Sequence, residues 1–331
     1  MSSSLPTVLI TGANGFVGSR LCRTFLEQNF KVVAGVRQNA DLSLLKELNV
    51  EYRYGDITQP ETLNDMVEGM DYIIHSAGVV KARHNDTFFE VNERGTRSLL
   101  ETVATKCPEV KKVIYISSAA AAGPTINDRP ITEDDPPHPV SVYGESKLVG
   151  EKTALSFAGK MHVIAIRPPG IYGPGDREIF TFFDIVNKGI RPLIGNVNRK
   201  LQLVHVDDLC RGVCMATTGN TVSGEAYFIA EKRAYTMKEL VDVLAKTAGK
   251  KGIPIKFPAV IFKIIAFISE FAFKAVGATP MLTRDKAREL HTSWEISTEK
   301  AQRAFGFESE IPFERGSRET YAWYRKEGWL K

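Results

Sequence analysis

The chain has 331 residues, of which 43% are hydrophobic and 25% charged, with a formal net charge of +4. That length is enough for one large or two medium domains around a sizeable core, and the composition is ordinary for a soluble globular protein. The charge is small and its Lys and Arg residues are scattered, so nothing calls for nucleic acid as a partner.

The start, Met1-Ser2-Ser3-Ser4-Leu5-Pro6, has neither a basic n-region nor an apolar h-region, so no secretory signal is expected. Next, Thr7-Val8-Leu9-Ile10 predicts a strand over 7–10. The stretch Thr11-Gly12-Ala13-Asn14-Gly15-Phe16-Val17-Gly18 follows, and helical spacing then runs over 17–28. A strand, a glycine turn and a helix make an anion site, because the helix N-terminus presents unpaired N–H groups and a positive dipole end. Here Gly12 turns tightly, Gly15 lets the backbone approach a pyrophosphate, and Gly18 lets the helix lie close to the strand. The pattern therefore predicts dinucleotide binding, with GxxGxxG spacing in place of GxGxxG.

Further strands are predicted over 31–36, 50–54, 72–75, 113–117 and 162–167, with helices over 60–67, 88–106 and 142–158. This alternation predicts an α/β fold, a Rossmann-type doubly wound parallel sheet with helices on both faces. From Pro168 onward the pattern changes to Pro/Gly loops and helices, which predicts a smaller, mostly helical C-terminal substrate lobe over 168–331. Four cysteines (Cys22, Cys107, Cys210 and Cys214) show neither disulfide nor zinc spacing, so no metal is expected and a reducing cytoplasm is the simplest compartment. His75, in an apolar strand, reads as a packed core histidine.

Tyr143-Gly144-Glu145-Ser146-Lys147 places a tyrosine and a lysine four apart on one helix face. An ammonium beneath a phenol favours the phenolate, which a tyrosine base requires. Upstream, Val113-Ile114-Tyr115-Ile116-Ser117-Ser118 is a β-branched strand ending in two hydroxyls, and strand ends are where ligands bind in an open parallel sheet. In order, TGANGFVG (11–18), GDITQPETL (55–63), HSAG (75–78), VNERGT (91–96), YISSAAAAG (115–123), YGESK (143–147), RPPGIYGPGD (167–176) and LVHVDDL (203–209) resemble the extended short-chain dehydrogenases/reductases. Within that NAD-dependent epimerase/dehydratase family the likeness is to the 3β-hydroxysteroid dehydrogenase and dihydroflavonol-reductase-like branch.

The resemblance implies an NAD(P)-dependent oxidoreductase that exchanges a hydride between nicotinamide and a substrate carbon. Tyr143 would take or give the hydroxyl proton, and Lys147 would bond the nicotinamide ribose and favour the Tyr143 phenolate. Ser118, five before Gly123 as in the family, would steady the substrate oxygen, with Ser117 as the fallback. Asn92 would hold a water for proton relay or serve helix structure alone. Gly12, Asn14, Gly15, Phe16 and Val17 would carry the pyrophosphate. Asp56 would accept from the adenine amine, Ile57 would pack on its ring, and Ala77 and Gly78 would let the cofactor approach. Pro168, Gly170 and Ile171 would pass the carboxamide. The family's segment at 201–230 would return to the dinucleotide-binding domain of 1–167.

Relatives that prefer NAD carry an acidic residue at the end of the second strand, where Val36-Arg37 stands here. A guanidinium there suits a 2′-phosphate, so NADP(H) is expected over NAD(H). Sugar-nucleotide members carry an Asn three after the Arg of strand six and an Arg at the place of Leu201. Here Arg167 is followed by Pro168-Pro169-Gly170, and Arg199 stands two residues from Leu201. The expected substrate is therefore a secondary alcohol or ketone on an apolar body; the alternatives are a nucleotide-sugar epimerase or dehydratase and a non-catalytic NADP sensor. The apolar stretch 257–277, with Lys263, Glu270 and Lys274 on one face, reads as a core helix of the small lobe. Its other readings are a substrate wall or a membrane-surface contact; its charges argue against a span. A homodimer is expected.

Overall fold

The computed structural model describes residues 5–127, 129–257 and 292–331. Strand β1 (Thr7–Thr11) turns into helix α1 (Phe16–Glu27). The alternation continues through β2 (Lys31–Val36), β3 (Glu51–Tyr54), α2 (Asn64–Val67), β4 (Tyr72–His75), α3 (Asn85–Phe89), α4 (Thr96–Lys106), β5 (Lys112–Ile116), α5 (Ala119–Ala122), α6 (Val142–Leu155) and β6 (Val163–Arg167). Beyond these come β7 (Gly170–Tyr172), α7 (Phe180–Asn187), β8 (Ile190–Ile194), β9 (Lys200–Leu201), β10 (Leu203–His205) and α8 (Val206–Thr218). The chain then forms β11 (Ala226–Phe228), β12 (Tyr235–Thr236), α9 (Met237–Thr247) and β13 (Ile253–Phe257), and ends in the helices Glu299–Phe305 and Phe313–Lys326. Phe257 closes β13, and the rest of the predicted 257–277 helix lies outside the described residues.

A seven-stranded parallel sheet runs in the order β11-β6-β5-β4-β1-β2-β3. Side chains alternate across it, as a period of two requires. Val8, Ile10, Val32, Ala34, Ile114 and Ile164 pack on one face with Leu21, Phe25, Leu209 and Val213 of α1 and α8. Leu9, Val33, Ile73, Val113 and Val163 pack on the other with Leu99, Val103 and Ala154 of α4 and α6. Both faces are covered, which is why these strands read as continuous apolar runs. The strand order reverses between β1 and β4, and ligands of such sheets bind beyond the strand ends at that switch point. A separate aromatic cluster of Tyr172, Phe183, Tyr235, Leu240, Phe313 and Tyr324 joins α7, α9 and the last helix.

Two predicted helices are broken. The stretch over 60–67 is a 3-10 turn, Pro60–Thr62, followed by α2, because the Thr62 hydroxyl is engaged by Asp56 and Gln59. The stretch over 88–106 starts earlier, as α3, and passes through a π-helical turn, Glu90–Gly95, into α4.

His75 fastens the switch point. Its Nδ1 lies 2.8 Å from Thr11 Oγ1 and its Nε2 3.0 Å from Thr96 Oγ1, and the residue is 1% exposed. Burial, with Lys147 nearby, pushes its pKa from 6.5 down to about 3. The unfolded chain therefore binds the proton that the folded chain refuses, so this contribution is complete above about pH 6.5 and is lost as pH falls towards 3. Urea unfolding between pH 7 and pH 5 is expected to show stability falling in the wild type with a slope approaching ~1.4 kcal/mol per pH unit, and a flatter dependence in His75→Gln. Equal slopes would remove His75 as the cause.

Candidate active site

At the switch point the glycine loop leaves no room for side chains. Gly12 has φ +66°, in the left-handed region, and a Cβ there would stand 2.8 Å from Ala77 Cα on the β4 loop. A Cβ on Gly18 would run into the Gly12 carbonyl, which is why α1 lies against the loop. Gly15 is the N-cap of α1 and supplies no side-chain cap, so the first amides of the helix, Phe16 and Val17, have no intrahelical acceptor. A close-approaching backbone with free amides at a helix N-terminus fits the diphosphate of a dinucleotide.

A cavity of about 1100 Å³ begins at this loop, touching Gly12, Asn14, Gly15, Phe16 and Val17, and continues past Gly78 and Asn92 to Ser117, Ser118, Tyr143 and Lys147. Pro168, Gly170 and Ile171 form part of its wall. Its far end is apolar and aromatic, with Phe182, Leu240, Leu244, Trp294, Phe313, Trp323 and Trp329. It is therefore large enough for a dinucleotide together with a second molecule.

Three elements bring the hydroxyls and the lysine together. Ser118 caps α5: its hydroxyl oxygen accepts from Ala120 N at 3.1 Å, which leaves its O–H able to donate into the cavity. Ser117, 4% exposed, has a hydroxyl with no hydrogen-bond partner among the described residues. Ser141 caps α6 by accepting from Gly144 N at 3.1 Å, and Tyr143 and Lys147 follow on successive turns. The Tyr143 ring lies 6.3 Å from that of Phe88 on α3. Lys147 is buried; its Nζ donates to Ile116 O at 2.7 Å and sits 4.2 Å over the Tyr115 ring. Burial pushes its pKa down to about 7 against the opposing charge of Glu151. Two of its three N–H donors remain for other partners.

Asn92 lies in the π-helical turn and is 1% exposed. Its Oδ1 accepts from Val79 N at 2.9 Å, while its Nδ2 donates to Val79 O and Ser146 Oγ, both at 3.0 Å. These bonds engage the whole amide in tying the β4 loop to α6.

Four residues assigned to the cofactor do not line the cavity: Arg37, Asp56, Ile57 and Ala77. Arg37 is exposed beyond β2. Asp56 Oδ1 accepts from Thr58 N and Oγ1, Ile57 is buried against Gly95, and Ala77 N donates to Thr11 Oγ1 at 3.2 Å. Asp41 does line the cavity, and the Ser43 amide holds its carboxyl below the usual carboxylate range. The sequence reading also passed over the buried pair of Arg167 and Glu151, which fixes α6 to β6 with bonds of 2.9 and 2.5 Å. An Arg at the end of a buried strand was the available signal for such a partner. Among the described residues, no group of three or more His, Cys, Asp or Glu side chains is placed to hold a metal, and no helix is long and apolar enough to cross a membrane.

The profile of the NAD dependent epimerase/dehydratase family matches residues 8–230. The chain is 30% identical to a ceramide reductase of Caulobacter vibrioides over 98% of its own length and 96% of the relative's. It is 28% identical to a 3-beta-hydroxysteroid dehydrogenase of Mycolicibacterium neoaurum, over 98% and 93% of the two chains. A UDP-glucose 4-epimerase structure from Thermotoga maritima superposes with a TM-score of 0.80 at 22% identity, covering 97% of this chain and 99% of that one, a likeness of fold. The chain belongs to the NAD-dependent epimerase/dehydratase family and is an enzyme of the extended short-chain dehydrogenase/reductase type.

Proposed function

We propose that the enzyme is an NADP(H)-preferring dehydrogenase or reductase acting on a secondary alcohol or ketone carried by a largely apolar body. The observation that carries this reading is the single cavity, which joins the glycine loop to Ser118, Tyr143 and Lys147 and ends in an apolar, tryptophan-rich wall. Two similar relatives, named for a ceramide and for a steroid, act on apolar bodies by their names. When bound, the dinucleotide supplies or accepts the hydride. Tyr143 donates its phenolic proton to the substrate oxygen in reduction and takes it back in oxidation. Ser118 donates its free O–H to the same oxygen, and protonated Lys147 favours the Tyr143 phenolate while offering its spare donors to the ribose. Asn92 acts as a positioning residue, through Val79 and Ser146.

The same reading divides the chain at residue 167, with 201–230 returning to the dinucleotide-binding part. It is supported by the parallel pairing of β11 with β6 and the packing of α8 beside α1. A reducing compartment suits the four buried free thiols.

A thermal-shift panel with NADPH present tests the substrate class, because a ligand of the folded state raises apparent stability. Sterols or ceramide-like lipids are expected to stabilise the protein; strong stabilisation by UDP- or GDP-sugars, with epimer formed and no net cofactor consumed, would replace this reading by an epimerase. For the cofactor, fluorescence titration is expected to show NADPH binding more tightly than NADH. Arg37→Ala should erase most of that preference, since loss of a charge-assisted bond to phosphate costs about tenfold or more. Equal affinities in the wild type would overturn the NADP(H) assignment.

A further inference from the structure

Arg199 lies between β8 and β9 on the wall of the active-site cavity, and only 2% of it is exposed. Its Nη1 donates to the carbonyls of Ile194 and, at 3.4 Å, Asn196. Its Nε and Nη2 have no hydrogen-bond partner among the described residues. Burial draws its pKa down to about 10, with no acidic neighbour among the described residues opposing the shift. A guanidinium stays charged in such a place, and a buried charge with idle donors is costly unless something pairs with it.

The two idle donors are adjacent N–H groups on one edge of the guanidinium, the edge that takes two oxygens in a plane. The same two nitrogens of Arg167 hold the Glu151 carboxylate at 2.9 and 2.5 Å, in an equally buried setting. Around Arg199 the cavity wall is apolar, with Leu201, Met237, Val241 and Trp294, so an ion pair there would be little screened.

Resting on the apolar-substrate reading above, we propose that Arg199 binds a carboxylate carried by the substrate, which is then an amphipathic hydroxy or oxo acid. One guanidinium balances one carboxylate. A phosphate monoester, at about −1.5 to −2, would leave negative charge buried and unpaired. The other cations of the cavity do not supply the balance: Lys147 is bonded to Ile116 O beside Tyr143, with its spare donors assigned to the ribose, Lys81 is bound to Glu178, and Arg83 and Arg177 are exposed.

All three tryptophans of the chain line the cavity, so intrinsic fluorescence reports its occupancy. With NADPH present, the probes are 3-hydroxymyristate and lithocholate, each beside its methyl ester, together with dodecyl phosphate and UDP-glucose. At least one acid is expected to bind the wild type about tenfold or more tightly than its ester. Arg199→Gln should lose that preference, Arg199→Lys should keep part of it, and NADPH affinity should be unchanged in both. The acid–ester comparison in the wild type needs no variant to fold. Acids binding no better than esters, or binding of none of the acids, would sink the Arg199 assignment alone, as would tighter binding of dodecyl phosphate or a preference that survives in folded Arg199→Gln. Tight binding of UDP-glucose with neither acid nor ester would remove the apolar-substrate reading itself.

Discussion

Replacing Tyr143 by Phe is expected to lower kcat by roughly 10²–10⁴-fold while leaving dinucleotide affinity almost unchanged, which is the range of a lost general acid–base. The substitution removes one oxygen and keeps the ring, so the packing of Tyr143 beside Phe88 and the Ser141 cap of α6 stay as they are. Lys147→Met should behave differently. It removes the Nζ that is bonded to Ile116 O and lies over the Tyr115 ring, and with it the donors proposed for the ribose, so cofactor affinity and turnover should fall together. Single-turnover kinetics with the ligand found in the thermal-shift panel, beside cofactor titration, separates the two variants. Substantial turnover by Tyr143→Phe would show that another group moves the proton. Ser118→Ala then becomes the informative variant, because the Ser118 O–H faces the same cavity.

The parts of this molecule that were legible in its sequence are those decided locally. Apolar runs and the helices between them marked β1, β2, β4, β5 and β6, because a strand buried on both faces is largely apolar, whereas β3, with the sequence Glu-Tyr-Arg-Tyr, is a partly buried edge strand of mixed polarity. The glycine loop was legible because Gly12 at φ +66° and Gly18 against the Gly12 carbonyl require a residue without Cβ. What stayed hidden is decided by distant partners. β11 is three residues long and is a strand because it pairs with β6, some sixty residues earlier in the chain. The apolar spacing over 88–106 predicted one helix, yet the π-helical turn within it depends on Asn92 gripping Val79 and on α6 lying against it. Asp41 reaches the cavity wall through a loop fold that no spacing announced, and Arg199 matters for what it lacks, a property that no sequence displays.

Gly150 follows from the same reasoning, and Gly150→Ala is expected to damage stability and catalysis together. Gly150 lies in α6 where that helix crosses the π-helical turn; a Cβ there would run into the Asn92 carbonyl and stand 2.6 Å from the Tyr115 hydroxyl. Neither neighbour can step aside. The carbonyl is backbone that already accepts from Thr96 Oγ1 at 2.8 Å, and Tyr115 is 1% exposed within the core. The strain must therefore be met by moving α6 off the turn, and overpacking of this kind costs about 1–3 kcal/mol, with backbone obstacles at the high end. The same shift would loosen the bond from Asn92 Nδ2 to Ser146 Oγ and carry Tyr143 and Lys147 away from Ser118, which is fixed separately at the end of β5. A displacement of about 1 Å is enough to cost on the order of 10²-fold in rate. Thermal melting and turnover at a temperature where the variant is folded measure the two effects. Gly159→Ala is the control, since a Cβ there meets nothing within 4 Å and should change neither. A Gly150→Ala enzyme as stable and as active as the wild type would show that α6 does not depend on this contact to hold Tyr143 in place.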